Sequence, residues 1–168
     1  MMFLIDYQIE VADIAGLPDE NAIARYAEVA ARGIRDRESS MTVRIVDEAE
    51  SQDLNCTYRH VDRPTNVLSF PAEIPEDLPP ELAEELMGSF IGDLVICKSV
   101  VEREAREQHK TAAEHWAHMI VHGTLHLLGF DHITDEEAEI MESREIAVLK
   151  ELGFPDPYQD DEPDSENP

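Results

Sequence analysis

The chain has 168 residues and a mass of 19.0 kDa, which predicts one domain with a sizeable core and leaves no room for two ordinary ones. Apolar residues make up 42% and charged residues 30%, so wholesale disorder is excluded, yet 13 Lys and Arg against 38 Asp and Glu leave a net charge of −25. Such a field repels nucleic acid at long range and favours a basic partner or a high-salt habitat. No run approaches the roughly 20 apolar residues of a membrane span, and Met1–Glu10 lacks a basic segment followed by an apolar block, so a cytoplasmic protein with no membrane partner is expected. The two cysteines, Cys56 and Cys97, form neither a disulfide framework nor a CxxC hook and are expected as reduced thiols, Cys97 buried.

Residues 3–11 (FLIDYQIEV) predict a strand, and Pro18-Asp19 opens a helix with Ile23, Ala27, Ala30 and Ile34 at helical spacing. Residues 41–47 alternate as a second strand, followed by a short helix from Asp47 to about Cys56. Asn66–Phe70 and Phe90–Cys97 are two further strands, separated by an acidic, Pro-rich loop from Pro71 to about Glu85. The period then becomes helical, with three capping-box patterns marking starts: Ser99-x-x-Glu102, Thr111-x-x-Glu114 and Thr134-x-x-Glu137. The middle helix, from about Ala112 to Leu128, is apolar on every side, the mark of a buried helix. Gly129 is placed as its C-cap, and the last helix ends at Gly153. The expected division is one domain over residues 1–154 and an acidic disordered tail over 155–168, whose removal should leave stability unchanged. The six acids of that tail leave residues 1–154 at −19, so the folded part is itself acidic.

Five of the seven histidines, His115, His118, His122, His126 and His132, lie in or just after the buried helix. Residues four apart share a helix face, so His118 with His122, or His122 with His126, present two imidazoles to one cation. At 1.5 Å rise per residue His118 and His126 are about 12 Å apart along the axis, so one helix supplies only two ligands. Gly129 permits a sharp turn and His132 follows three residues later, which selects His122, His126 and His132. Their spacing, H-x-x-x-H-x-x-G-x-x-H, equals that of three-His zinc proteases, but the position of the general-base Glu in those enzymes is Gly123 here. A peptidase mechanism is therefore not expected, and Gly123 provides space either for close packing or for a substrate near the metal. Three nitrogens leave a fourth position open, as in catalytic zinc sites. His115 and His118 are read as core residues. Asp131 either orients a ligand imidazole or is a surface turn acid.

The string HGTLHLLGFDH at 122–132 resembles the signature of the YbeY family, bacterial zinc-dependent endoribonucleases of rRNA maturation. Arg59 followed by PTNVLSFP at 64–71 and GDLVIC at 92–97 stand in the order and approximate spacing of that family, and the similarity covers about residues 40–154. The resemblance implies an α+β fold with a small four-stranded mixed sheet and a buried central helix carrying the metal ligands. It implies one Zn²⁺ per chain on His122, His126 and His132, and a catalytic role for Arg59. It also implies cleavage of single-stranded RNA rather than DNA, action on the 3′ end of 16S rRNA, ribosome quality control, and the ribosomal subunit or its proteins as partners. Asn66, Ser69 and Asp93 fall in the matching blocks and are equally well explained as turn, cap or buried hydrogen-bonding residues.

A guanidinium suits the bidentate grip of a phosphate, which is the physical case for Arg59. Two other functions are compatible with the residues: a ribosome-assembly binding factor with a structural zinc, and a zinc hydrolase of a smaller substrate. The acidity of the folded part conflicts with RNA binding unless Arg44, Arg59, Arg63 and Lys98 gather around the zinc cleft while acids cover the far side.

Overall fold

The structure, a computed structural model, describes residues 3–73, 76–82 and 88–158. Four strands, β1 (Phe3–Ile9), β2 (Ser39–Val46), β3 (Val67–Pro71) and β4 (Phe90–Cys97), form one sheet in the order β1-β2-β4-β3. β1, β2 and β4 run parallel and β3 is the antiparallel edge, so the expected small mixed sheet is present. Around it lie α1 (Glu20–Ala31), α2 (Glu48–Arg59), α3 (Lys98–Glu107), α4 (Ala112–Leu127) and α5 (Asp135–Glu151).

Strand alternation decides which residues meet the helices. Met41, Val43 and Ile45 of β2 and Leu94 and Ile96 of β4 turn to one face, where they pack with Ile23 and Ala27 of α1 and with Trp116 and Ile120 of α4. Val46, Leu68, Val95 and Cys97 form a smaller cluster with Leu54 of α2 on the other face. The far side of α4 carries Ala117, Val121 and Leu125 against Met141, Val148 and Leu149 of α5. α4 is thus enclosed between sheet and helix, which is why its sequence is apolar all round.

Local start signals hold at α1 and α2, where Asp19 and Asp47 accept hydrogen bonds from Ala22 N (2.8 Å) and Glu50 N (2.9 Å). Both sides of the capping box close at Thr111/Glu114 and at Thr134/Glu137. The Ser99/Glu102 box does not form. β4 runs directly into α3, so Cys97 is the N-cap without a side-chain bond, Ser99 is already helical, and its hydroxyl donates to Glu48 Oε2 at 2.5 Å. α1 also stops short of Ile34, which is 40% exposed after Gly33 takes φ +81°. In the loop between β3 and β4, residues 80–82 are helical, and residues 74–75 and 83–87 lie outside the described residues.

Two glycines fix the distance between sheet and α4. A Cβ on Gly123 would lie 2.7 Å from Leu94 Cδ2, so this helical glycine lets α4 approach β4. Gly92, at φ +143°, would place a Cβ 2.4 Å from the Phe70 carbonyl oxygen and 2.8 Å from Leu127 Cδ2. Backbone strain and overlap with a main-chain atom act together there, so Gly92→Ala is expected to destabilise by about 3 kcal/mol or more. Urea unfolding checks this, with a fall in the midpoint at unchanged slope as the expected result.

The segment from Pro155 departs from the expected tail over its first four residues. Phe154 stacks edge-on against Tyr26 at 5.9 Å, Lys110 Nζ donates to the Pro157 carbonyl at 2.6 Å, and the Tyr158 hydroxyl donates to Glu145. Composition predicts no core of its own for this segment, but the body of the domain offers it a surface. Residues 159–168 lie outside the described residues.

Candidate metal centre

α4 and the turn after it bring His122, His126 and His132 together, with one ligand atom of each within 4.8 Å of the others. Ring centroids are 4.7 Å apart for His122 and His126, 4.9 Å for His126 and His132, and 5.8 Å for His122 and His132. The first two share a helix face one turn apart. The third arrives because Gly129, at φ +106°, reverses the chain, with Phe130 N bonded back to the Leu125 carbonyl at 3.0 Å. His122 and His126 are half-buried and His132 is exposed, so the centre opens to solvent on one side.

The second ring nitrogen of each helical histidine is already engaged. His126 Nδ1 donates to the Phe130 carbonyl at 3.0 Å, and His122 Nδ1 donates to the Glu145 carboxylate. Both bonds leave Nε2 as the free lone pair and fix the plane of the ring, as metal-bound imidazoles require. Burial, with the nearby His122 and His132, holds the His126 pKa below its ordinary value, so this imidazole stays neutral and able to ligate. Three imidazole nitrogens converging with an open side suit a zinc ion, for which ligand nitrogens stand about 3.3 Å apart in a tetrahedral arrangement.

Among the described residues a second group, His118, His122 and Glu145, also has ligand atoms within 4.8 Å of one another. It is a different kind of cluster. Glu145 is fully buried, in direct hydrogen-bond contact with His122 Nδ1, accepts from the Tyr158 hydroxyl, and lies 3.5 Å from His118 Nε2. Burial alone would raise its carboxyl, but the hydrogen bonds from His118 and His122 outweigh that and hold its pKa at about 2. An ionised carboxylate already filled by donors serves to orient His122, not to take a cation of its own.

Sequence reasoning did not identify Glu145. The signal that could have found it is its helical spacing with Met141, Val148 and Leu149, which puts an acid on the buried face of α5, but its partner His122 lies 23 residues earlier in the chain. The role weighed for Asp131 falls elsewhere: its carboxylate accepts the backbone N–H of His132 at 2.8 Å, as a turn acid does. His115 and His118 are buried, each with a carboxylate beside Nε2: Glu104 at 2.9 Å for His115, Glu145 at 3.5 Å for His118. Asn66 Nδ2 donates to Glu104 at 3.1 Å, and its Oδ1 accepts from Val67 N at 2.6 Å, so it anchors the start of β3. Gly123 answers to packing.

Arg59 is the last residue of α2, which His60 closes in the left-handed region at φ +61°. The Tyr58 ring meets Phe70 at 5.1 Å, and Phe70 precedes Pro71, the register partner of Gly92, against which Leu127 packs. The end of α2 thus packs beside Phe70 on one face of the sheet, whereas α4 packs beside Gly92 on the other. Arg59 and Arg63 are exposed, and among the described residues neither guanidinium has a carboxylate partner. The basic cluster expected around the cleft is only half available, because Arg44 is bonded to Glu50 at 2.7 Å and Lys98 to Glu102 at 3.0 Å. Their own neighbouring acids neutralise them.

The chain is 54% identical over 162 residues to the endoribonuclease YbeY of Pseudomonas putida KT2440, covering 96% of this chain and 98% of that protein. Identity and coverage are the same for the endoribonuclease YbeY of Pseudomonas entomophila L48. The solution structure of TM1509 from Thermotoga maritima superposes with a TM-score of 0.55 at 26% identity, over 89% of this chain and 92% of the other. The sequence profile of the family described as endoribonuclease YbeY matches residues 9–153, a span that holds β2, β3 and β4, Arg59, the histidine triad and Glu145, and the chain belongs to that family.

Proposed function

We propose that this protein cleaves single-stranded RNA internally, with one zinc ion per chain on His122, His126 and His132 and with Arg59 gripping the scissile phosphate. The observation that carries this reading is the convergence of three imidazoles, two with Nδ1 already engaged, on a side open to solvent in a chain of the endoribonuclease YbeY family. A zinc ion held by these three histidines would supply Lewis-acid chemistry to the phosphate. The chain does the rest: Glu145 and the Phe130 carbonyl hold two ligands in place, and the Arg59 guanidinium pairs with phosphate charge. Position 123, where a zinc peptidase has its carboxylate, faces Leu94 across a packed interface, which argues against peptide hydrolysis.

We extend the reading to ribosomal RNA, its 16S 3′ end and ribosome quality control, as the resemblance implies, in the cytoplasm where that RNA is found. Among the described residues no helix is long and apolar enough to cross a membrane. The net charge of −25 disfavours adhesion to RNA at large and suits contact with basic ribosomal proteins that deliver the substrate.

Labelled single-stranded RNA, the same sequence as a duplex, and its DNA counterpart, each incubated with zinc-loaded and with chelator-stripped protein, test the reading. Cleavage of the single-stranded RNA alone, by the loaded protein alone, is the expected result. A loaded protein that cuts none of the three and binds ribosomal subunits would overturn it in favour of a binding factor with a structural zinc.

A further inference from the structure

Tyr158 stands beyond the last helix, in a segment whose composition predicts no structure, yet its hydroxyl donates to the fully buried carboxylate of Glu145. The approach is built rather than incidental. Lys110 holds the Pro157 carbonyl at 2.6 Å, the Asp156 side chain accepts Tyr158 N at 2.8 Å, and the Tyr158 ring packs edge-on against His118 at 5.3 Å. Glu145 in turn bonds His122 Nδ1, and His122 is a member of the triad.

We propose that Tyr158 and Glu145 are positioning residues of the metal centre: the segment after α5 closes over Glu145, and Glu145 sets the plane and tautomer of His122. The physical reason is desolvation. A buried carboxylate must have its lone pairs filled, and each donor narrows the positions it can take. His122 takes one oxygen, the Tyr158 hydroxyl the other, and His118 Nε2 lies 3.3 Å from that hydroxyl, so the carboxylate has one orientation open to it. Without the tyrosine hydroxyl, the oxygen facing His118 keeps only the longer contact to His118 Nε2 at 3.5 Å, and the carboxylate is held less firmly toward His122. The proposal rests on the triad as the metal site and adds what holds it.

Full-length metal-free protein titrated with cobalt(II) against a competing chelator tests it, with His126→Ala as the reference that should bind none. Glu145→Gln is expected to weaken cobalt binding by about 10–100-fold and Tyr158→Phe by about 5–10-fold, both with altered visible bands of the bound ion. Because Tyr158 acts through Glu145, the double variant should be within about twofold of Glu145→Gln alone. The metal-free forms of wild type and Tyr158→Phe should melt within a few degrees of each other, since the tyrosine ring stays in place. Tyr158→Phe with wild-type affinity and spectrum, or effects that multiply in the double variant, would overturn the proposal while leaving the triad intact. Cobalt bound equally by wild type and His126→Ala would instead remove the triad, and the proposal with it.

Discussion

His126→Ala is expected to lose zinc entirely, from about one ion per chain to none detectable after gel filtration. His126 is the central member of the triad, with the shortest ring separations to both of the others, and its Nδ1 bond to Phe130 ties the returning chain to the helix. Removing it leaves one half-buried imidazole and one on an exposed turn, and two nitrogens hold a closed-shell ion poorly. The substitution cuts a half-buried side chain beside a turn, so the fold should persist and the loss should be one of metal. His118→Ala is the contrasting variant: its Nε2 faces Tyr158 and Glu145, outside the triad, and it should retain stoichiometric zinc. Metal analysis of the two proteins decides the matter, and zinc retained in His126→Ala but lost in His118→Ala would move the centre to His118, His122 and Glu145.

Arg59→Lys is expected to bind zinc and fold as wild type does, and to cleave single-stranded RNA about 10²–10³ times more slowly, a loss of about 3–4 kcal/mol in transition-state stabilisation. Lysine keeps the positive charge and the helix end but loses the planar fork that grips two phosphate oxygens together. The structure sharpens the contrast, because among the described residues Arg59 makes no ion pair that its loss would break. Even an existing surface pair would be worth only about 1 kcal/mol or less, so a large kinetic effect cannot come from stability. Single-turnover cleavage at matched zinc occupancy is the measurement. A rate within a few-fold of wild type would return Arg59 to the solvated surface.

Much of the site is written in local spacing, and the reason is geometric. His122 and His126 are one helical turn apart whatever they pack against, and a glycine three residues later permits only a few ways of turning back, so the triad is legible from eleven consecutive residues. The same holds for Asp19, Asp47, Thr111 and Thr134, whose capping bonds reach no further than three residues along the chain. The strand alternation of residues 41–47 announces which of its side chains are buried, because a pleat has a fixed period. Ser99 shows the limit of such reading: its capping pattern is as good as the others, and it fails because the strand before it leaves no room for a cap.

What only the tertiary structure decided are the pairings between distant segments, where burial rather than spacing sets the partner. Glu145 is one of many acids in its helix, and helical spacing puts it on the apolar face with Met141, Val148 and Leu149, but that spacing does not say which group it meets. It matters because α5 packs on α4 with that one side chain turned inward, where a carboxylate must find donors, and His122 and Tyr158 are the donors there. Gly123 likewise has two readings until Leu94 is seen against it. The chain after Gly153 is too poor in apolar residues to order itself, and composition rightly gives it no core. It is ordered through Tyr158 because the domain presents a buried charge with an unfilled acceptor, a demand that belongs to the assembled fold and has no trace in the sequence on either side.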